Sequence, residues 1–332
     1  MTKVTIIAEA GVNHNGDVAL AKQLIDVAVQ AGVDVVKFQT WKTELLVTPD
    51  ADMAEYQQTN TQTIESQFNM LKRLELSYPD FIELKQYCDN KNIQFMSTPD
   101  EETSATFLND LQDRFKIGSG ELTNTPFLRH VAAFGKPVIL STGMGCLSEI
   151  EHALETLLMT GLCLSDITVL HASTQYPTPM SDVNLRAMMT IAHAFPGIAI
   201  GYSDHTLGIE VPIAAVAMGA SIIEKHFTLD KSMHGPDHKA SLSPVELTAM
   251  VTAIRHIELA MGDGLKRPTP SEHSNRKLVR KSLVARCNIQ KNELITADKI
   301  AIKRPGTGIS PTRWDEVVDS FAKKNYIKDE LL

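Results

Sequence analysis

The sequence predicts an α/β protein: a closed (β/α)8 barrel of the TIM-barrel class, followed by a small C-terminal module of short strands and turns. Eight apolar, β-rich runs alternate with helical segments over roughly the first 260 residues. The carboxyl ends of those runs carry charged and hydroxyl side chains where bare turns would show Gly, Pro, Asn and Asp. After residue 262 the composition changes to a polar stretch with Pro and Gly. These observations divide the chain into a barrel over 1–262, a linker over 263–280 and a module over 281–332. A doubly wound open sheet is the runner-up, weakened because no G-x-G-x-x-G follows the first run.

V-T-I-I-A-E (4–9) is the first strand, and Asp17 caps a helix with apolar Leu20, Leu24, Ile25, Val27 and Ala28, closed by Gly32. V-D-V-V-K-F-Q (33–39) is the second strand. Residues 41–66 are polar and without strong periodicity, and read as a long loop of the kind that covers binding sites. A helix over 81–91 leads into I-Q-F-M-S-T-P (93–99), and one over 104–111 leads into R-F-K-I-G-S-G-E (114–121). P-V-I-L-S-T-G-M (137–144) precedes an amphipathic helix over 147–160, with Ile150, Leu154, Leu157 and Leu158 at helical spacing. I-T-V-L-H-A-S (167–173), a helix over 185–195, I-A-I-G-Y-S-D-H (198–205), a helix over 209–219 and I-I-E-K-H-F (222–227) complete the barrel. The module of about fifty residues is marginal by size, and so is expected to pack on a barrel, its own or a partner's.

Of 332 residues, 43% are hydrophobic and 22% charged, the balance of an ordinary globular chain. A net charge of -8 offers no broad basic field and argues against a nucleic-acid partner. The four cysteines (Cys88, Cys146, Cys163, Cys287) show no C-x-x-C spacing, as expected of reduced thiols in a cytoplasmic protein. No segment is long and apolar enough to predict a membrane span or a signal peptide.

The strand ends carry the chemistry. A strand–helix–strand unit brings His205 and His226 to one edge of the sheet, close enough to share a borderline divalent ion. Ser203, Asp204, Glu224 and Lys225 crowd beside them. Lys37 and Lys116 lie inside apolar strands, where an unpaired ammonium is costly, so each is expected to meet an anion. With Ser and Thr hydroxyls nearby they form a cradle for a small phosphate- or carboxylate-bearing substrate. His14 is balanced between turn and site. His171 reads as a satisfied strand-end histidine, and His234 and His238 flank Asp237 in a loop.

Beyond this, A-E-A-G-V-N-H-N-G-D (8–17), V-V-K-F-Q-T (35–40), F-K-I-G-S-G-E (115–121), S-T-G-M (141–144), Y-P-T-P (176–179), G-Y-S-D-H-T (201–206), E-K-H-F-T-L-D (224–230) and G-P-D-H-K-A-S (235–241) resemble the sialic acid synthase family. K-R-P-G-T-G-I-S-P (303–311) resembles that family's antifreeze-like (SAF, β-clip) module. The resemblance implies condensation of phosphoenolpyruvate with an N-acetylated hexose, with a divalent metal, Mn2+ foremost and Mg2+ or Co2+ as substitutes. It implies His205 and His226 as metal ligands, and Lys37, Thr98, Lys116, Ser119, Ser141, Tyr176 and Ser203 around phosphoenolpyruvate. Glu9 is placed at the reacting centre, with Gln39, Glu121 and Asp237 at the sugar. It further implies a domain-swapped homodimer in which Arg304 meets the sugar's N-acetyl group in the opposite site. K-F-Q-T-W and Thr174 depart from bacterial N-acetylneuraminate synthases, which use N-acetylmannosamine, while the A-E-A-G-V-N-H-N-G-D start, H-K-A-S and A-M-G-D-G look more like synthases of legionaminic acid, whose acceptor is a 2,4-diacetamido-2,4,6-trideoxy-mannose.

Overall fold

In a computed structural model describing residues 3–332, the apolar runs become eight parallel strands. They are β1 (Thr5–Gly11), β2 (Val35–Thr40), β3 (Gln94–Pro99), β4 (Phe115–Ile117), β5 (Val138–Ser141), β6 (Ile167–Ala172), β7 (Ala199–Asp204) and β8 (Ile222–His226). Their order is β3-β2-β1-β8-β7-β6-β5-β4, and the two end strands β3 and β4 lie beside each other, so the sheet curls into a nearly closed barrel. Each strand is buried on both faces, which is why it reads as an apolar run rather than a clean alternation.

Alternation still operates within the runs, and it decides which residues reach the site. Ile7, Val35, Met96, Ile139, Leu170 and Ile222, one from each of six strands, pack together inside the barrel. Burial of each contributes about 1.5–3 kcal/mol. Two residues further along, on the same face, stand Glu9, Lys37, Thr98, Ser141 and Glu224. The intervening positions (Ala8, Val36, Phe38, Ile223) face the helices and join the larger core. That outer layer is built by helices such as Val18–Ala31, whose Asp17 accepts from the Ala19 N–H and whose end at Gly32 has φ 75°. Helix Leu147–Met159 buries Ile150, Ala153, Leu154 and Leu157.

The 41–66 stretch departs from the expected loop. It forms helices Thr43–Leu46 and Glu55–Thr61, with Gln67–Leu74 directly after. Both early helices are too short and polar to show periodicity. They hold through local bonds, such as Gln57 accepting from the Ala54 N–H, and through a small cluster of Val12, Trp41, Met53, Met70 and Leu74.

The chain separates into two compact units, one through Asp263 and one from Gly264. The second contains helix Glu272–Val279, within the stretch expected to be an irregular linker. It also contains two antiparallel pairs. β9 (Ser282–Ala285) pairs with β11 (Ile300–Lys303), and β10 (Leu294–Ile295) with β12 (Ser320–Phe321), around Leu283, Ala285, Ile289, Ile295 and Ile300. Among the described residues no helix is long and apolar enough to cross a membrane.

Candidate active site

Strand register assembles the site's charged floor. Glu9 lies opposite Lys37 on β2 and opposite His226 on β8. Lys37 Nζ reaches Glu9 Oε2 at 2.7 Å, Glu224 Oε2 at 3.7 Å, and donates to Thr98 Oγ1 at 2.7 Å. Lys116 Nζ donates to Glu224 Oε1 at 3.1 Å, which also accepts from the Ser203 hydroxyl at 3.0 Å. The anions that the buried lysines meet are therefore, first of all, the chain's own carboxylates. All four side chains are at most 5% exposed.

Their electrostatics differ because their partners do. Burial would raise Glu224, but two flanking lysines overcome it and hold the carboxyl at about 2. Glu9 has one lysine, and burial with the nearby Glu224 charge pushes it above the ordinary carboxylate range. Lys37 is desolvated yet held above its usual value by Glu224 and Glu9, whereas burial pulls Lys116 down. Gln39 donates to Glu9 Oε1 at 2.9 Å. Two further carboxyls sit at the edge of this group: burial pushes Asp100 and Asp237 each up to about 7.

The histidine pair stands above the floor, with ring centres 5.4 Å apart. His205 Nδ1 bonds the Ser173 carbonyl, and because a carbonyl only accepts, Nδ1 carries the proton and Nε2 keeps a bare lone pair. His226 Nδ1 is buried without a hydrogen-bond partner, 3.9 Å from Asp237 Oδ2. Burial lowers both imidazoles, His205 to about 4, and so keeps them neutral, the state in which imidazole binds a metal. An orphaned ring nitrogen beside a second neutral imidazole suits a borderline divalent ion. Among the described residues no three His, Cys, Asp or Glu side chains converge as a ligand set. Tyr176 packs its ring 4.0 Å from that of His205 and edge-on to His226. Gly11, at φ 50°, passes so close that a Cβ there would stand 3.2 Å from His226 Cε1.

Glu9, Lys37, Gln39, Thr98, Lys116, Ser119, Ser141, Tyr176, Ser203, His205 and His226 line one cavity of about 500 Å3. Thr174 lines it as well. Asp237 touches this group through His226. Glu121 lines a neighbouring cavity that shares Asp100 with the first, and accepts from Asn124 at 2.5 Å. Arg304 belongs to the second unit, exposed in the turn after β11. Asp204 and Lys225, expected at the rim, turn away from the cavity and pair with each other behind it. His171 bonds the Val183 carbonyl, His234 the Thr61 carbonyl and His238 the Thr228 hydroxyl. His14 is fully buried and accepts from the Gly16 N–H, a turn role.

The cavity also holds residues that sequence reasoning did not assign. Glu224 was legible, since it lies two residues before His226 on the same face of β8. Asp100 directly follows β3, at the rim. Tyr56, which stacks on Tyr176 at 5.0 Å, and Gln57 come from helix Glu55–Thr61, where no sequence signal marked an element.

Fold and cavity define a (β/α)8-barrel enzyme whose chemistry sits at the carboxyl ends of its strands. The NeuB family model matches residues 24–266, and a SAF domain model matches residues 280–332. The N,N'-diacetyllegionaminic acid synthase of Campylobacter jejuni is 50% identical over 100% of this chain and 99% of its own. That of Legionella pneumophila is 47% identical over 96% and 90%. The crystal structure of an N-acetylneuraminic acid (sialic acid) synthetase from Leptospira borgpetersenii, 35% identical, superimposes with a TM-score of 0.72 over 82% of this chain and 90% of that one. The chain belongs to the NeuB family and carries a C-terminal SAF domain.

Proposed function

We propose that this enzyme condenses phosphoenolpyruvate with 2,4-diacetamido-2,4,6-trideoxy-mannopyranose, yielding N,N'-diacetyllegionaminate and phosphate. The observation that carries the acceptor is the 50% identity, end to end, with a protein named for that product. The N-acetylneuraminate alternative, with N-acetylmannosamine as acceptor, draws on the 35% identical sialic acid synthetase structure.

In this reading Lys37 and Lys116 exchange part of their pairing with Glu9 and Glu224 for the phosphate and carboxylate of phosphoenolpyruvate. Thr98, Ser119, Ser141, Ser203 and Tyr176 complete the cradle. Gln39, Glu121 and Asp237 take the sugar. His205 and His226 would hold a divalent ion, Mn2+ foremost, and when bound it would supply Lewis-acid polarisation of the open-chain aldehyde. The methylene carbon of phosphoenolpyruvate forms the new C–C bond to the aldehyde carbon, whose oxygen gains a proton. Water adds at C2 and gives up one proton, leaving a hydroxyl, and the C–O bond to phosphate then breaks with its electron pair leaving on phosphate, which takes up the hydroxyl proton as C2 becomes the ketone. Glu9, buried and inclined to hold a proton, transfers one in these last steps. The SAF domain completes the opposite site of a domain-swapped homodimer through Arg304.

The test is phosphate release from phosphoenolpyruvate with Mn2+, run separately with each sugar. Preference for the diacetamido sugar supports the reading. Preference for N-acetylmannosamine transfers it to the sialic acid alternative, and release with neither, from folded protein, refutes both.

A further inference from the structure

The barrel places two fully buried charges directly behind the histidine pair, and the reaction outlined above makes no use of them. Asp204 and Lys225 are register partners on β7 and β8, each one residue before a histidine. Strand alternation sends His205 and His226 into the cavity and Asp204 and Lys225 to the opposite face, toward the helices. Both side chains are 0% exposed. Lys225 Nζ donates to Asp204 Oδ2 and to the Thr206 carbonyl. Asp204 accepts in addition from the Thr206 N–H at 3.1 Å and the Thr206 hydroxyl at 2.9 Å. The network therefore grips residues 204 and 206, and His205 is the residue between them.

Stability does not call for such a pair. Desolvating two ions costs several kcal/mol each, and well-packed apolar replacements are often neutral or stabilising. What the pair does provide is geometry, because it ties the end of β8 to the turn that ends β7 and so fixes how the two imidazoles face each other. We propose that Lys225 and Asp204, acting through Thr206, are positioning residues for the divalent-ion site. Their contribution extends to affinity for the ion, beyond the hydrogen bonds they give the buried turn. The inference rests on the reading of His205 and His226 as its ligands.

The experiment is Mn2+ titration of the full-length protein by calorimetry, with metal-free melting temperature as the control. The D204L/K225M double variant is expected to fold but to melt lower than the unaltered protein, since it leaves the buried N–H, hydroxyl and carbonyl of Thr206 without these partners. Its Mn2+ affinity is expected to fall by about 10–100-fold, the cost typical of disturbing groups that orient metal ligands. A double variant that folds and binds Mn2+ within about twofold of the unaltered chain, well short of that loss, overturns the proposal. If the double variant does not fold, Thr206→Val decides, since it removes one grip on the turn and leaves the ion pair in place. Weaker Mn2+ binding by it supports the role, and unchanged binding overturns it. Failure of the unaltered protein to bind Mn2+ defeats the histidine reading itself and this inference with it.

Discussion

Replacing Lys116 by Met removes one of the two cations facing the proposed phosphoenolpyruvate position while roughly keeping the volume of the side chain. Two effects follow, and they separate in experiment. Breaking a buried ion pair costs about 3–5 kcal/mol when the remaining charge is stranded. Glu224 is not stranded, since it keeps the Ser203 hydroxyl at 3.0 Å and Lys37 at 3.7 Å. The stability loss therefore falls at the low end, about 3 kcal/mol, and melting should drop by about 6–12 °C. For the substrate, a hydrogen bond to a charged group is worth about 1.5–3 kcal/mol, which converts to a rise of about 10–150-fold in the KM for phosphoenolpyruvate. The assay is initial-rate phosphate release with each substrate varied in turn, below the lowered melting temperature. The KM for the sugar should stay near its original value. A folded Lys116→Met enzyme with an unchanged KM for phosphoenolpyruvate, or with the loss falling on the sugar, refutes the placement of the anion.

His226→Ala should abolish Mn2+ binding and activity with little loss of metal-free stability, because its Nδ1 makes no hydrogen bond; calorimetry and melting read the two separately. A mixture of Arg304→Ala and His226→Ala proteins, each inactive alone, should regain activity if the SAF domain serves the opposite barrel. Its staying inactive, with exchange of subunits verified, argues for action within one chain. Gly201→Ala should lower the melting temperature, since its Cβ would stand 2.5 Å from the Ile222 carbonyl oxygen and 2.6 Å from Leu170 Cδ2. Overpacking of that kind costs about 1–3 kcal/mol, and differential scanning calorimetry measures it.

Acid stability tests the covering excursion. Burial alone would raise Glu75, but the Thr43 N–H and hydroxyl, with Lys42 and Lys72, outweigh it and hold the carboxyl at about 2 against an ordinary 4.5. A depressed carboxyl stabilises the fold fully above its unfolded value and loses that contribution as pH falls through the folded one. The melting-temperature gap between the unaltered protein and Glu75→Gln should thus be flat above about pH 5 and close between about 4.5 and 2. A gap constant across that window would falsify the assignment.

The sequence exposes the site where one side chain is expensive enough to need a reason. Lys37 and Lys116 inside apolar strands, and two histidines at successive strand ends, mark the cavity before any coordinates are known. Tyr56 and Gln57 stay hidden because helix Glu55–Thr61 has one buried residue, Thr61, and so no apolar periodicity to betray it. Asp204 and Lys225 show a different limit. Counted by proximity in the chain, they belong with Ser203, His205, Glu224 and His226. Counted by the period of two, they fall on the other face of the same strands, and this is where the structure has them.

That alternation also explains how a chain of net charge -8 keeps two buried lysines at the floor of its cavity. Inside the barrel, side chains two apart stack into layers, so an aliphatic layer from Ile7 to Ile222 excludes water beneath Glu9, Lys37, Lys116 and Glu224. In such surroundings charges are weakly screened, and the lysines have to be paired before substrate arrives. A pair of carboxylates does this in the free cavity, and it leaves the group electrically balanced rather than strongly positive. In the proposed reading phosphoenolpyruvate would gain by exchange, taking lysine contacts from Glu9 and Glu224. Glu9, which shares one lysine and is held above the ordinary carboxylate range, takes up a proton more readily than Glu224, which is gripped by two. In the proposed reading the same square of charges would both bind the anion and single out the carboxyl that moves protons, and the unequal sharing of the lysines is what would separate the two roles.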